Sequence, residues 1–224
     1  MEVERITGQG NSPPPFQKAA NAVNEKIVAK YRGSDGTIDY TCIYNALGAF
    51  SGFGVQMAIR EALVKPGKLS EDKAFVVVKT TDGKSYYLGD LLNEGLFGSP
   101  HSKISVWSLI GGAALSAGAK QLPDLREMAS HSVKVLGTKA FGVPRVPVAF
   151  LPRETPYDVL QLGWKAMHEL LAEYEVQPLF WGWTFALAAQ YLLLSNSNSF
   201  DPTIAATIAL EAAVSMSKVD PRDL

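Results

Sequence analysis

Cys42 is the only cysteine in the chain, and it stands three residues after Asp39. If Asp39 caps a helix, Cys42 falls in its first turn, where free backbone N–H groups and the helix dipole favour a thiolate. A cysteine nucleophile also needs a base, and the chain has three histidines. The candidate is His101, in the loop "GSPHSK", because functional side chains collect on loops. Cys42 as nucleophile and His101 as base would make a cysteine-dependent hydrolase or transferase. The competing reading is structural. Cys42 shares a helical stripe with Ala46, Ala49 and Phe53, and free cysteines are among the most buried residues. His131 and His168 each lie on a polar helical stripe and read as solvated.

Other patterns stop short of chemistry. "HELLAEYE", from His168, lacks the second histidine four residues on that a zinc-protease helix requires. Glu127 and His131 share a helix face, which is the spacing of an ordinary surface pair. Gly83-Lys84-Ser85 copies the end of a phosphate-binding loop, but Val78 stands where its first glycine belongs. Ser70 and Lys73 have the serine–lysine spacing of penicillin-recognising enzymes, without either companion motif. No metal site or cofactor motif is complete, so no cofactor is expected.

A binding pocket is the remaining kind of site. Gly48 and Gly52 lie four apart, and Gly111, Gly112 and Gly118 dot a second uncharged stretch. Small residues at this spacing let helices approach closely. Where they face bulky side chains across a gap, a ligand fits instead, with Tyr44, Trp107, Phe180, Trp181 and Trp183 as candidate aromatic walls.

The elements that must position these residues are mostly helical. Residues 1–15 read as a flexible arm, ending in three prolines, and 16–224 as a single globular domain. Apolar spacing predicts helices over about 16–32 and 40–64. The run "AFVVVKTTDGKSYYL" predicts a β-hairpin over about 74–88, turning at Asp82-Gly83. A third strand is expected near 141–151, restricted to an edge by Pro144 and Pro147. Further helices are expected over about 104–119, 123–136, 155–175, 178–194 and 201–217. Their start signals include Thr155-Pro156-Tyr157-Asp158 and Asp201-Pro202. The expected fold is α+β and predominantly helical, with its core around a central apolar helix at about 178–194.

That helix belongs to an uncharged run, Gln177 to Asn198. It is too short and too polar for a membrane span, which needs about 20 apolar residues, so a buried core helix is expected. The N-terminus has no apolar leader segment. A lone cysteine suits a reducing compartment, and the expected location is the cytoplasm. A net charge of −1 argues against nucleic acid as a partner. The charge is divided, with seven bases to two acids over 95–153 and three bases to nine acids over 154–224. The two segments are expected to pack against each other. Charged residues make up only 19% of the chain, below the usual quarter, so either the core or an interface must be large. These features favour a non-enzymatic protein that binds a small apolar, aromatic or anionic ligand, or a partner, and that forms a homodimer. A structural subunit of a larger complex would explain the uncharged helices equally well.

Overall fold

The computed structural model describes residues 13–100, 102–196 and 198–224. Residues 1–12 of the expected arm lie outside the described residues, and Pro15 already belongs to the first helix. Among the described residues there are nine helices and one two-stranded antiparallel sheet.

Helices α2, α5, α6, α7 and α9 each begin where a hydrogen-bonding side chain meets free backbone N–H groups. Helix α1 is Pro15–Lys30. Helix α2, Tyr40–Ile59, starts at Asp39, whose carboxylate accepts the Cys42 N–H, and widens into a π-helical turn over Arg60–Val64. The short α3, Glu71–Ala74, leads into β1, Val76–Lys79, and β2, Ser85–Leu88. Helix α4, Asp90–Phe97, follows, then α5, Val106–Ser116, opened by a capping box between Ser105 and Ser108. Asp124 caps α6, Leu125–Lys134. Thr155 and Asp158 cap each other at the head of α7, Pro156–Glu173. Helix α8, Trp181–Ser195, and the Asp201-capped α9, Pro202–Met216, complete the set.

The 178–194 helix lies in the core, as its composition implies. It shares the centre with α2, which is covered more completely. Only Tyr40, Thr41 and Met57 of α2 are not buried. Helix α2 packs against α9, α8, α7 and α4, while α1 and α5 flank α8. One contiguous apolar core runs from Ala19 to Val219. The aromatic centre pairs Phe50 with Phe185 at 5.4 Å and Phe53 edge-on with Trp164 at 4.8 Å. Among the described residues, one helix, Tyr40–Val64, is long and apolar enough to cross a membrane, and 94% of its most apolar window is buried within the protein.

Glycine permits this packing. A Cβ on Gly48 would stand 2.1 Å from the Ala209 carbonyl oxygen, and one on Gly52 would stand 1.9 Å from that of Ala213. Two glycines four apart on α2 therefore face two alanines four apart on α9, and the backbones touch. Gly54 and Gly182 do the same for α2 and α8, with a Gly54 Cβ only 2.9 Å from the Gly182 nitrogen.

The hairpin forms with Val77 opposite Tyr87 and Lys79 opposite Ser85. Residues 141–151 do not supply its third strand. The prolines leave turns and a short 3-10 segment, Val148–Phe150. The outer edge of β2 instead meets the chain after α9, where Tyr86 bridges Val219 and the Tyr87 N–H donates to the Lys218 carbonyl at 2.8 Å. The Arg60 guanidinium lies over the Phe75 ring at 4.7 Å and the Tyr87 ring at 4.3 Å, which ties the hairpin to the end of α2.

The two oppositely charged segments do meet. Glu211 of α9 accepts from the Arg145 backbone N–H and from its Nε and Nη2, at 2.7–2.9 Å.

The glycine seam makes one substitution act in opposite directions at two sites. Gly52→Ala should destabilise the protein by about 3 kcal/mol, because helix separation must change. Gly112→Ala, on the exposed side of α5 with nothing within 4 Å of its Cβ, should stabilise it by roughly 0.8 kcal/mol through helix propensity. Urea unfolding of both variants checks the pair, and a shift of the same sign in both would reject the seam.

Candidate functional site

Helix α2 holds Cys42 in its first turn, as the Asp39 cap requires, but the thiol points into the core. Cys42 is 1% exposed. Its Sγ accepts the Arg153 backbone N–H at 3.4 Å. Burial pushes the thiol's pKa up, the Arg153 N–H acts in the opposite sense, and the neighbouring Asp39 carboxylate adds to the rise. The dipole of the helix is thus outweighed by desolvation and a fixed negative charge. His101 lies outside the described residues. His168 is exposed but not isolated, and sits edge-on to Trp181 at 4.9 Å.

The five aromatic candidates do not gather around one space. Tyr44 stacks with Tyr40 and Phe200 in the core. Trp181 is buried, donates its indole N–H to the Val176 carbonyl at 2.9 Å and packs on Trp164. Phe180 and Trp183 touch at 5.9 Å, with Phe16 stacked on Phe180. Trp107 is half-buried and lies against the Gly111 side of α5. Composition identifies aromatic residues but not the direction each helix turns them, and here Tyr44, Phe180, Trp181 and Trp183 are engaged in ring contacts with other aromatic side chains.

A cleft appears elsewhere, between α4, α6 and the chain leaving α9. Its volume is about 520 Å³. Leu88 and Gly89 from the end of β2, Leu92 and Asn93 from α4, and Ala129, Ser130, Val133 and Lys134 from α6 form its walls. Ser217 and Lys218 close the remaining side. Val133 is 42% exposed there, an apolar side chain with room in front of it. Gly89, at φ 150°, turns the chain out of β2 so that α4 can form one wall.

Lys218 is the unusual member. It is 7% exposed and forms no ion pair among the described residues. Its Nζ donates to the Val214 carbonyl in the last turn of α9, which engages one of three ammonium hydrogens. Burial alone pushes its pKa down, to about 7. Both neighbouring carbonyls are held. That of Lys218 accepts from Tyr87, and that of Ser217 accepts from Gln56 Nε2 at 3.0 Å. Lys218 therefore stands on a clamped backbone and lines a largely apolar cleft, and among the described residues no carboxylate lines that cleft. Lys134, at the rim, is the other titratable group there.

Two other hollows have less to offer. The one against the Arg145–Glu211 pair has about 10 Å³, room for about a single water. A cleft of about 170 Å³ carries Asp82, Asp220 and Asp223, but the first two are engaged by Thr80 and Arg222. Among the described residues no group of three or more histidine, cysteine or acidic side chains is placed to hold a metal ion.

In sequence, Lys218 resembles the usual cation at a helix C-terminus. The one clue is that no lysine or arginine stands between Lys165 and Lys218, which marks this lysine as part of a weakly basic, largely apolar region.

No protein-family model, curated protein or solved structure matches this chain.

Two outcomes test the placement of these groups. Iodoacetamide at pH 8 should alkylate Cys42 in the native protein at least about a hundredfold more slowly than in the unfolded chain, a ratio that quenched time courses measure. For Lys218, the unfolded chain stays protonated to about pH 10.4 while the folded form loses its proton near pH 7. The unfolded state binds more protons across that interval, so stability rises with pH through it. Lys218→Met should thus stabilise the protein at pH 6 by roughly 4 kcal/mol, with the advantage fading toward pH 10. Denaturant unfolding at pH 6, 8 and 10 reads this, and a pH-independent difference would contradict it.

Proposed function

We propose that this chain is a small-ligand-binding protein, and that the cleft between α4 and α6 receives an apolar molecule ending in a carboxylate. The observation that carries this reading is Lys218, a buried lysine with no acidic partner among the described residues, lining a cleft of about 520 Å³. That volume is of the size small-molecule sites use. Leaving a lysine desolvated and unpaired costs stability, and a ligand carboxylate would supply the missing counter-charge in an apolar setting where the pair is strong. Lys134 at the mouth adds a long-range attraction for an anion.

The cysteine-hydrolase reading has less behind it, since the Cys42 thiol is buried and its pKa is raised. Homodimerisation was expected because uncharged helices need cover. Here α2 and α9 find that cover within one chain, so composition no longer requires a second copy. Native mass spectrometry of the purified protein reads both the oligomeric state and any retained ligand.

Affinity should depend on pH in a definite direction. Below about pH 7 Lys218 is charged, and binding of a medium-chain carboxylate such as octanoate should be constant. Above it, affinity should fall by about tenfold per pH unit, because the ammonium must be restored on binding. Lys218→Met should weaken octanoate by at least about tenfold, and Lys134→Ala by roughly twofold with loss of salt sensitivity. Titration calorimetry at pH 6, 7, 8 and 9 measures this, and equal binding of octanoate and octanol would reject the reading.

A further inference from the structure

We propose that Lys218 acts as an amine nucleophile, forming a reversible imine with an apolar aldehyde seated in the cleft between α4 and α6. The inference rests on that cleft being a ligand site and adds a covalent step to it. Imine formation needs an amine with a free lone pair, a fixed attack position, and walls that hold the carbonyl carbon beside it while limiting water.

Each requirement has a counterpart in named residues. No carboxylate lines the cleft to hold the amine as an ammonium ion, and Lys218 forms no ion pair among the described residues. The backbone carrying it is fixed from two sides by Tyr87 and Gln56. Leu88, Leu92, Ala129 and Val133 provide an apolar enclosure for a hydrocarbon tail. Burial also lowers the amine's pKa to about 7, so a substantial fraction carries a lone pair at neutral pH. Other lysines are solvated or paired, Lys30 with Glu154 and Lys65 with Glu61 for example.

The step balances without an oxidant or cofactor. The neutral Nζ attacks the aldehyde carbon, the C–N bond forms, and the carbonyl π pair moves to oxygen, which takes up a proton. The resulting carbinolamine loses its hydroxyl as water after a second protonation from solvent. Nitrogen releases its two protons to solvent, leaving the neutral imine and one water. Hydrolysis reverses the sequence.

The test uses the full chain with hexanal as probe and sodium cyanoborohydride to trap the imine, read by intact mass and peptide mapping. At pH 7 and stoichiometric aldehyde, one reduced hexanal should appear on Lys218, about tenfold faster than on Lys134 or any other lysine. Labelling at Lys218 should follow an ionisation near pH 7, whereas surface lysines should continue to gain reactivity to well above pH 9. Lys218→Arg should abolish the fast adduct with its circular dichroism and urea-unfolding transition retained, and octanoate added to the unsubstituted chain should suppress the adduct by occupying the cleft. Adducts spread over surface lysines, with Lys218 unmodified, would overturn the proposal. Octanoate binding that depends on Lys218, together with no Lys218 adduct, overturns the imine alone and leaves the binding reading standing. Absence of both overturns the two together.

Discussion

The contact between α2 and α9 sets the geometry on which the other elements depend. Gly48 and Gly52 remove two side chains from α2 at positions where the Ala209 and Ala213 carbonyls approach it. Backbones in direct contact gain dispersion along their length and leave little freedom in the relative position of the two helices. Because α9 ends at Met216, the next three residues reach β2, and Gln56 and Tyr87 take up the carbonyls of Ser217 and Lys218. These two bonds hold the segment from which Ser217 and Lys218 line the cleft.

Two charges on this part of the chain show contrasting treatments of burial. Glu211 is inward on α9 and is met by three donors from Arg145, so its carboxylate has a complete shell. Such a pair adds little net stability once desolvation is counted, but it joins the basic middle of the chain to its acidic C-terminal part. Lys218, seven residues on, is equally withdrawn from water and has only a helix carbonyl. A protein under selection for stability alone has simple ways to avoid this, such as a methionine at the same place. Strain of this kind concentrates at sites where something else is bound.

Local rules in the sequence anticipate much of this fold. The Asp39, Thr155 and Asp201 caps, the Asp82-Gly83 turn and the burial of the 178–194 helix all follow from residue chemistry acting over a few positions. What the sequence does not reveal is set by distant partners. A third strand is expected at 141–151, limited to an edge or an extended connector by Pro144 and Pro147, but the hairpin edge pairs with Val219 because α9 delivers that residue there. Cys42 is read correctly both as a first-turn residue and as a member of the apolar stripe with Ala46, Ala49 and Phe53, and it is buried. Lys218 was passed over because a lysine closing a helix usually projects into water. Its burial arises from α4, α6 and β2 converging on it, and no window of sequence contains all three.

The seam between α2 and α9 also has a consequence during synthesis. Gln56 and Ser217, which close its far end, are 161 residues apart. Helix α2, the longest uncharged helix in the chain, therefore has its principal cover made last among the long helices. At ordinary translation speeds its glycine face stays open for on the order of ten seconds. Contacts this distant in sequence make the search for the native arrangement slow. The nascent chain passes through a period in which its longest uncharged helix is the one least protected, and holdase chaperones are the cellular answer to that exposure.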